Sequence, residues 1–410
     1  MNWIRLIRLF RTIYYGAPPD TDFIQRSGLL AVKIGQTYAQ RADFLSESSC
    51  RELAKLYRKT NPVAPQEINQ LIRSNTEPGW LDAFEKIEID PFACASIGQV
   101  HRATLRSGEK VVVKLVRGEF RRSFELDVHS VMRLIRLVVR IYPKLGRVAD
   151  PIGTLRYVES TTLSELDLRN EAQGQLELER IYCHYKERFN LSRLRFPSIY
   201  RDLSNEHVMV SELIEAPTFD ELLECGELSF KTLLDLFEIH GFFLFCVGVF
   251  HGDIHPGNII LKGSEIYLLD TGTISRVPAL MRKGLFRFFD ALVVGDFERS
   301  ARSLESMSRC SLGASRFKSF QMEFAELYKS ALGKTVAEQS LTKQMMQTIR
   351  LAVDHGMDFE TGMYPIVKSL MYLDGMVLRC APQTDLLGEL GPVLERFRPW
   401  VEEDSIVDEL

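Results

Sequence analysis

His251-Gly-Asp-Ile-His-Pro-Gly-Asn258, followed by Leu268-Leu-Asp270-Thr-Gly272, is the stretch on which the fold turns. Between these two pieces lie short apolar runs, Ile259-Ile-Leu261 and Ile266-Tyr-Leu-Leu269, separated by Gly263-Ser264. Two such runs around a two-residue Gly-containing link predict a tight β-hairpin. A hairpin returns the chain to where it left, so Asn258 and Asp270 arrive at the same end, close enough to share a cation. The bland alternatives are an ordinary polar loop around His-x-Asp, or a stray metal site on His251 and His255. The attached hairpin and the second Asp weigh against both.

An Asp and an Asn five apart, then a second Asp just before a Gly, is the spacing that protein-kinase-like folds use. In that chemistry Asp253 orients a hydroxyl nucleophile, Asn258 binds one Mg²⁺, and Asp270 bridges metal to the phosphates of ATP. Upstream the period-two pattern of strands supports a small kinase-type lobe. Lys86-Ile-Glu-Ile-Asp90 alternates, Gln99–Leu105 follows, Arg106-Ser-Gly-Glu109 makes a turn, and Lys110-Val-Val-Val-Lys114 returns. Lys114, at the end of three valines, stands where such a lobe places the lysine that grips the α and β phosphates. It needs a carboxylate to hold it. A helical pattern from Thr154 to Lys186 offers Glu165, Asp167 and Glu171, of which Asp167 and Glu171 are four apart and face the same way. A solvated acidic face is the competing reading.

The loop expected over the phosphates departs from an ordinary kinase. Instead of GxGxxG it reads Ala93-Cys-Ala-Ser-Ile-Gly98. Alanine and cysteine Cβ atoms restrict φ and keep backbone from approaching phosphate as closely as glycine allows. Ala93, Cys94, Ala95 and Ser96 are still the expected nucleotide-facing residues. After Asp270 there is no Ala-Pro-Glu, so the segment that docks protein substrates in ordinary kinases is not visible.

Several motifs in order give the chain its resemblance. Lys33-Ile-Gly-Gln36, the Ala93–His101 loop, Val-Val-Val-Lys114, Glu165-Leu-Asp167 with Glu171-Ala172, His251–Asn258 and Asp270-Thr-Gly272 together resemble the UbiB/AarF family of atypical protein-kinase-like proteins. The match runs from about residue 25 to residue 300 and more weakly around Gly375–Pro382. The family is associated with ubiquinone (coenzyme Q) and isoprenoid-lipid metabolism. The resemblance implies that the Lys33–Gln36 helix belongs to an N-terminal extension folded over the active site, with Lys33 and Gln36 as gating residues. It also implies Lys114 as the nucleotide lysine, Glu165 as its carboxylate, and Asp253, Asn258 and Asp270 as the catalytic and metal set. Two departures stand out: Cys94 in the alanine-rich loop, and Thr271 in place of the phenylalanine of Asp-Phe-Gly.

The first fifteen residues have their own pattern. Trp3, Leu6, Ile7, Leu9, Phe10, Ile13 and Tyr14 fall on one side of a helical wheel and Arg5, Arg8 and Arg11 on the other. No acidic residue precedes Asp20, which is the pattern of a helix lying in an anionic membrane interface. A terminal helix docked on its own domain, or an organellar transit segment, remain as alternatives.

Composition bounds the rest. A length of 410 residues accommodates a bilobal enzyme with an added module, and 45% hydrophobic with 26% charged residues is ordinary for a chain with a sizeable core. A net charge of −4 gives no global attraction to nucleic acid. Seven scattered cysteines without a CxxC argue for a reducing compartment and against a disulfide framework or zinc site. The longest apolar run, Phe242–Phe250, is far short of a membrane span and reads as a buried helix leading into the catalytic loop.

The expected architecture is therefore α+β and protein-kinase-like. It comprises a helical extension over 1–84, an N-lobe with inserted helices over 85–216, and a mostly helical C-lobe over 217–410. The expected function is Mg²⁺-dependent ATP binding with ATPase or small-molecule phosphotransfer activity, supporting ubiquinone or isoprenoid-lipid metabolism at a membrane surface. ATP and Mg²⁺ are the expected cofactors. An isoprenoid lipid or quinone precursor, an anionic membrane and a biosynthetic enzyme complex are candidate partners. The chain is expected in the cytoplasm, peripherally on the inner membrane, with organellar targeting left open. The competing class is a non-catalytic, nucleotide-gated lipid-binding scaffold.

Overall fold

The strand Lys110–Val116 shows why the first part of the chain folds as it does. Val111, Val113 and Leu115 alternate onto one face and are almost completely buried. They pack with Ile68, Ile72, Phe84, Val208 and Val210 into a single cluster. A computed structural model describes residues 3–15, 18–39, 45–57, 65–94, 97–116, 119–141, 151–329, 333–359 and 363–402. The chain divides into two compact units: Met1–Gln173 with Pro197–Leu213, and Gly174–Phe196 with Ile214–Leu410.

The first unit opens with helices α1 (Trp3–Tyr15), α2 (Thr21–Arg26), α3 (Leu29–Ala39), α4 (Glu47–Ala54) and α5 (Pro65–Asn75). Its sheet contains β1 (Phe84–Ile87), β2 (Ala93–Cys94), β3 (Gly98–Leu105) and β4 (Lys110–Val116), then β5 (Val208–Glu212) after α6 (Glu119–Ile141) and α7 (Pro151–Glu165). The order β1-β3-β4-β5 is antiparallel throughout, with β2 on β3. A separate helical core gathers Leu9, Ile13, Ile24, Leu30, Ile34, Leu53 and Leu56 with Phe124 and Val128. The sequence gives a continuous helix over Thr154–Lys186, and here the structure differs. Leu166 and Asp167 separate α7 from α8 (Leu168–Tyr185). Asp167 accepts from the Arg169 backbone N–H at 3.1 Å, a local side-chain bond that competes with helix and starts a new one.

The second unit is mainly helical: α9 (Phe219–Cys225), α10 (Phe230–Gly241), α11 (Ala279–Val293), α12 (Phe297–Ser306), α13 (Ala314–Lys329), α14 (Leu341–Asp354), α15 (Met363–Cys380) and α16 (Leu386–Glu402). The apolar run after α10 is indeed buried, but Phe242–Val247 is a π-helical turn. Arg282, itself 1% exposed, donates from Nη1 to the carbonyls of Phe245 and Cys246 at 3.0 and 2.5 Å, satisfying groups that the turn leaves open. Strands β6 (Val249–His251), β7 (Ile259–Lys262), β8 (Glu265–Leu268) and β9 (Ile274–Arg276) follow.

Candidate active site

The predicted hairpin is present. β7 and β8 pair antiparallel from Ile259↔Leu268 to Lys262↔Glu265, with Gly263 at φ +62° in the two-residue turn. Leu269 N–H donates to Asn258 O at 2.9 Å, which extends the pairing one step and brings Asn258 beside Asp270. A second pairing pins the other side of both segments: β6 and β9 run antiparallel with His251 opposite Ile274. The loops 252–258 and 269–273 are thus each held between two ladders. Gly252 is required by the closeness of these segments. Its N–H donates to Thr273 O at 2.7 Å, and a Cβ there would stand 2.6 Å from that same oxygen.

Inside this frame the two histidines serve the loop. Of the His251 ring nitrogens, Nε2 lies 2.7 Å from Leu269 O and Nδ1 accepts from Asp253 N–H at 3.1 Å, which fixes the tautomer with the proton on Nε2. Burial lowers its pKa and outweighs the opposing pull of the Leu269 carbonyl, Asp253 and Asp270, so the ring stays neutral at neutral pH. His255 Nδ1 accepts from Gly257 N–H at 3.0 Å. Among the described residues no group of three or more His, Cys, Asp or Glu side chains is arranged to hold a metal ion.

Asp253 faces Lys368, whose Nζ lies 2.8 Å from Asp253 Oδ1. Burial alone would raise the Asp253 pKa. The charge and hydrogen bond of Lys368 outweigh it and leave the carboxyl below its ordinary range. Asn258 Nδ2 donates to Asp253 O at 3.0 Å, so the Asn side chain is braced by the residue it accompanies. Asp270 has φ +54°, the non-glycine left-handed backbone found among the described residues. An L-residue held there costs on the order of 1 kcal/mol, and such strain concentrates at functional sites. Thr271 is buried, and its carbonyl sits where a Cβ on Gly174 would be 2.2 Å away. Close backbone approach to α8 thus fixes this position, rather than the aromatic contact of an Asp-Phe-Gly.

In the first unit Lys114 stands on β4 opposite Val100 and Met209. Its Nζ donates to Glu171 Oε2 at 2.7 Å, and both side chains are largely buried. This corrects the expected pairing, because Glu165 instead accepts from Lys33 Nζ. The break at Leu166–Asp167 is the reason. Glu165 closes α7 and Glu171 lies in the first turn of α8, so the two acids are aimed at different lysines, while Asp167 pairs with Arg169. Gln36 is 6% exposed and donates from Nε2 to Leu56 O at 3.1 Å. Gly35 beside it leaves room for Leu56, whose Cδ1 a Cβ would meet at 2.6 Å. The Gly-Gln half of the motif thus packs inside the extension, while Lys33 reaches Glu165. Ala93 and Cys94 form β2 against Val100 and Gln99, whereas Ala95 and Ser96 lie outside the described residues.

On α1 the single apolar face of the wheel is divided. Leu6, Leu9 and Ile13 are buried in their own unit, while Trp3, Ile4 and Ile7 are more than half exposed. Arg8 stacks over the Phe23 ring at 4.2 Å. No helix among the described residues is long and apolar enough to cross a membrane.

Residues 55–304 match the model of the ABC1 atypical kinase-like domain. The chain belongs to the ABC1 atypical kinase-like family. It is 28% identical over 384 residues to a protein of Vibrio cholerae named "Probable protein kinase UbiB", covering 91% of this chain and 69% of that one. It is 29% identical over 392 residues to the protein of the same name from Aliivibrio fischeri, with the same coverage. Among solved structures it is similar to one titled "The complex structure of Rv3197-erythromycin from Mycobacterium tuberculosis", with a TM-score of 0.54 and 18% identity over 82% of this chain and 83% of that one. That likeness concerns the fold, which is α+β and kinase-like in both.

Proposed function

We propose that this atypical kinase-like protein binds ATP with Mg²⁺ and turns it over, by hydrolysis or by transfer to a small-molecule hydroxyl. The observation that carries the proposal is the convergence of Asp253, Asn258 and a backbone-strained Asp270 at the open end of one hairpin. Asp270 and Asn258 suit Mg²⁺, a hard cation commonly held by one or two protein oxygens and completed by substrate phosphates and water. A protein-only cage of three acidic ligands is not needed, in keeping with its absence among the described residues. When bound, the metal neutralises charge on the β and γ phosphates. Lys114, held by Glu171, supplies a cation to the α and β phosphates. Asp253 orients the hydroxyl or water that attacks. Lys33, through Glu165, is the gating residue in this reading, and Gln36 acts by holding the extension together.

The relatives' name favours a role in ubiquinone or related isoprenoid-lipid metabolism, with a quinone precursor or a biosynthetic enzyme complex as partner. Exposed Trp3, Ile4 and Ile7, beside Arg5 and Arg11, favour work at an anionic membrane surface. The test is release of inorganic phosphate from Mg²⁺-ATP, with and without anionic liposomes, by the full chain and by Asp253→Asn. Loss of release in the variant supports the proposal. Tight nucleotide binding without any release by the wild type would replace it with the nucleotide-gated scaffold.

A further inference from the structure

The loop carboxylate has a partner that no motif contains. Lys368 projects from α15, and its ammonium is 2.8 Å from Asp253 Oδ1, with only 14% and 26% of the two side chains exposed. The helix that carries it is fixed on several sides. Ser369 Oγ lies 3.1 Å from His240 Nε2, and Asp374 accepts from the backbone N–H groups of Leu341 and Thr342 at 3.2 and 2.9 Å. One turn beyond Lys368, Tyr372 meets the His255 ring edge-on at 5.3 Å and lies 5.7 Å from the lysine ammonium. Thus α15 addresses the catalytic loop at two points, Asp253 and His255, and the stem of Lys368 starts from an anchored backbone.

We propose that Lys368 is a further catalytic residue, whose ammonium bridges the Asp253 carboxylate and the terminal phosphoryl group of ATP. The proposal rests on the reading of the site as an ATP site. Charge is the argument. Asp253 and Asp270 bring two carboxylates to the loop, and a nucleotide adds more negative charge. His251 remains neutral and has both ring nitrogens engaged in holding the loop, and His255 Nδ1 is engaged by Gly257. Lys368 supplies a full positive charge at this point. An ammonium has three donors, so one lysine can serve a carboxylate and a phosphoryl oxygen together. The transferring phosphoryl group carries its charge on three equatorial oxygens, and a donor already aimed at them stabilises that state without reorganisation. In the reaction the oxygen of water or of an acceptor hydroxyl bonds to the γ-phosphorus as the bond to the ADP oxygen breaks. The nucleophile's proton passes to Asp253, and ADP leaves with the electron pair. Lys368 keeps its own protons throughout.

The experiment compares Mg²⁺-ADP with a Mg²⁺-bound non-hydrolysable ATP analogue, by calorimetric titration of the full chain. Wild type, Lys368→Met and Lys368→Arg are used, with phosphate release measured in parallel. Lys368→Met is expected to keep its ADP affinity within about twofold and to lose roughly tenfold for the analogue, the share of one charge-assisted contact. Phosphate release should fall roughly a hundredfold, and Lys368→Arg should recover part of both. Retained ADP affinity shows that the variant is folded. If Lys368→Met does not fold, the Arg variant decides: a smaller loss confined to the analogue is expected, and a loss shared equally with ADP overturns the proposal. Equal loss for both nucleotides, or no change in either, also overturns it. Absent phosphate release by the wild type together with a selective loss of analogue affinity would overturn turnover while supporting the Lys368 contact. Absence of any nucleotide binding would overturn both.

Discussion

Asp270 allows backbone strain and ligand binding to be separated in one position. Its φ of +54° lies in the left-handed region, where a residue with a Cβ is disfavoured by about 1–2 kcal/mol relative to glycine. Asp270→Ala and Asp270→Gly both remove the carboxylate and every contact it makes, so they differ chiefly in backbone strain. Without nucleotide, glycine's extra unfolded-state entropy offsets about 0.5–1 kcal/mol of this, so the Gly variant should be more stable than the Ala variant by about 0.5–1 kcal/mol. The unit that contains Asp270 has roughly 220 residues, so each kcal/mol moves its melting temperature by about 2–4 °C. The expected separation is therefore about 1–4 °C. Ligand binding supplies the second half. A nucleotide at a hundred times its dissociation constant stabilises by about 2.7 kcal/mol, or about 5–10 °C here. Both variants, and Asp270→Asn, should lose the Mg²⁺-dependent part of that shift. Thermal unfolding with ADP, with and without Mg²⁺, reads both effects. Equal stability of Ala and Gly variants would refute the strain argument. A full Mg²⁺-dependent shift in either would refute the assignment of Asp270 to metal.

Three further outcomes follow from named contacts. Glu171→Gln removes the carboxylate from buried Lys114 and should cost about 3 kcal/mol in denaturant unfolding and weaken ADP binding. Glu165→Gln should leave ADP affinity within about twofold, and equal effects of the two on ADP would contradict the observed pairing. Replacing Trp3, Ile4 and Ile7 together with serine should lower binding to anionic vesicles by roughly tenfold or more, while folding stability changes by less than about 1 kcal/mol. Unchanged vesicle binding would leave α1 as a packing element alone. Burial, aided by nearby His251, drops the His240 imidazole to about 3, whereas the unfolded chain titrates near 6.5. The native state therefore binds fewer protons between these values, and this stabilisation, complete above about pH 6.5, is lost as pH falls towards 3. His240→Gln should reduce the slope of stability against pH between 6 and 4, by at most about 1.4 kcal/mol per pH unit. An unchanged slope would place the acid sensitivity elsewhere.

What was legible in the sequence follows physical range. Hairpin β7–β8 was legible because its two apolar runs and Gly263 are local, and a hairpin's register follows from its turn. Lys114 was legible because three valines fix its strand. The carboxylate partner was not, because Asp167 breaks the helix between Glu165 and Glu171 and reassigns which lysine each acid meets. The division of α1 into a buried and an exposed apolar side depends on what packs against it, which a helical wheel does not contain. Lys368 carries no local signal: a lone lysine on an amphipathic helix is ordinary, and only the tertiary fold sets it against Asp253. Arg282 is similar, since its burial is explained only by the carbonyls of the π-helical turn.

Phosphate release from Mg²⁺-ATP by the full chain, wild type against Asp253→Asn, decides whether this protein turns nucleotide over through its loop carboxylate. Wild type should release phosphate measurably and the variant at least roughly a hundredfold less, the share of a positioned carboxylate, while ADP still shifts the melting temperature of both proteins. Equal release from the two proteins, or none from a wild type that binds nucleotide, would contradict turnover through Asp253.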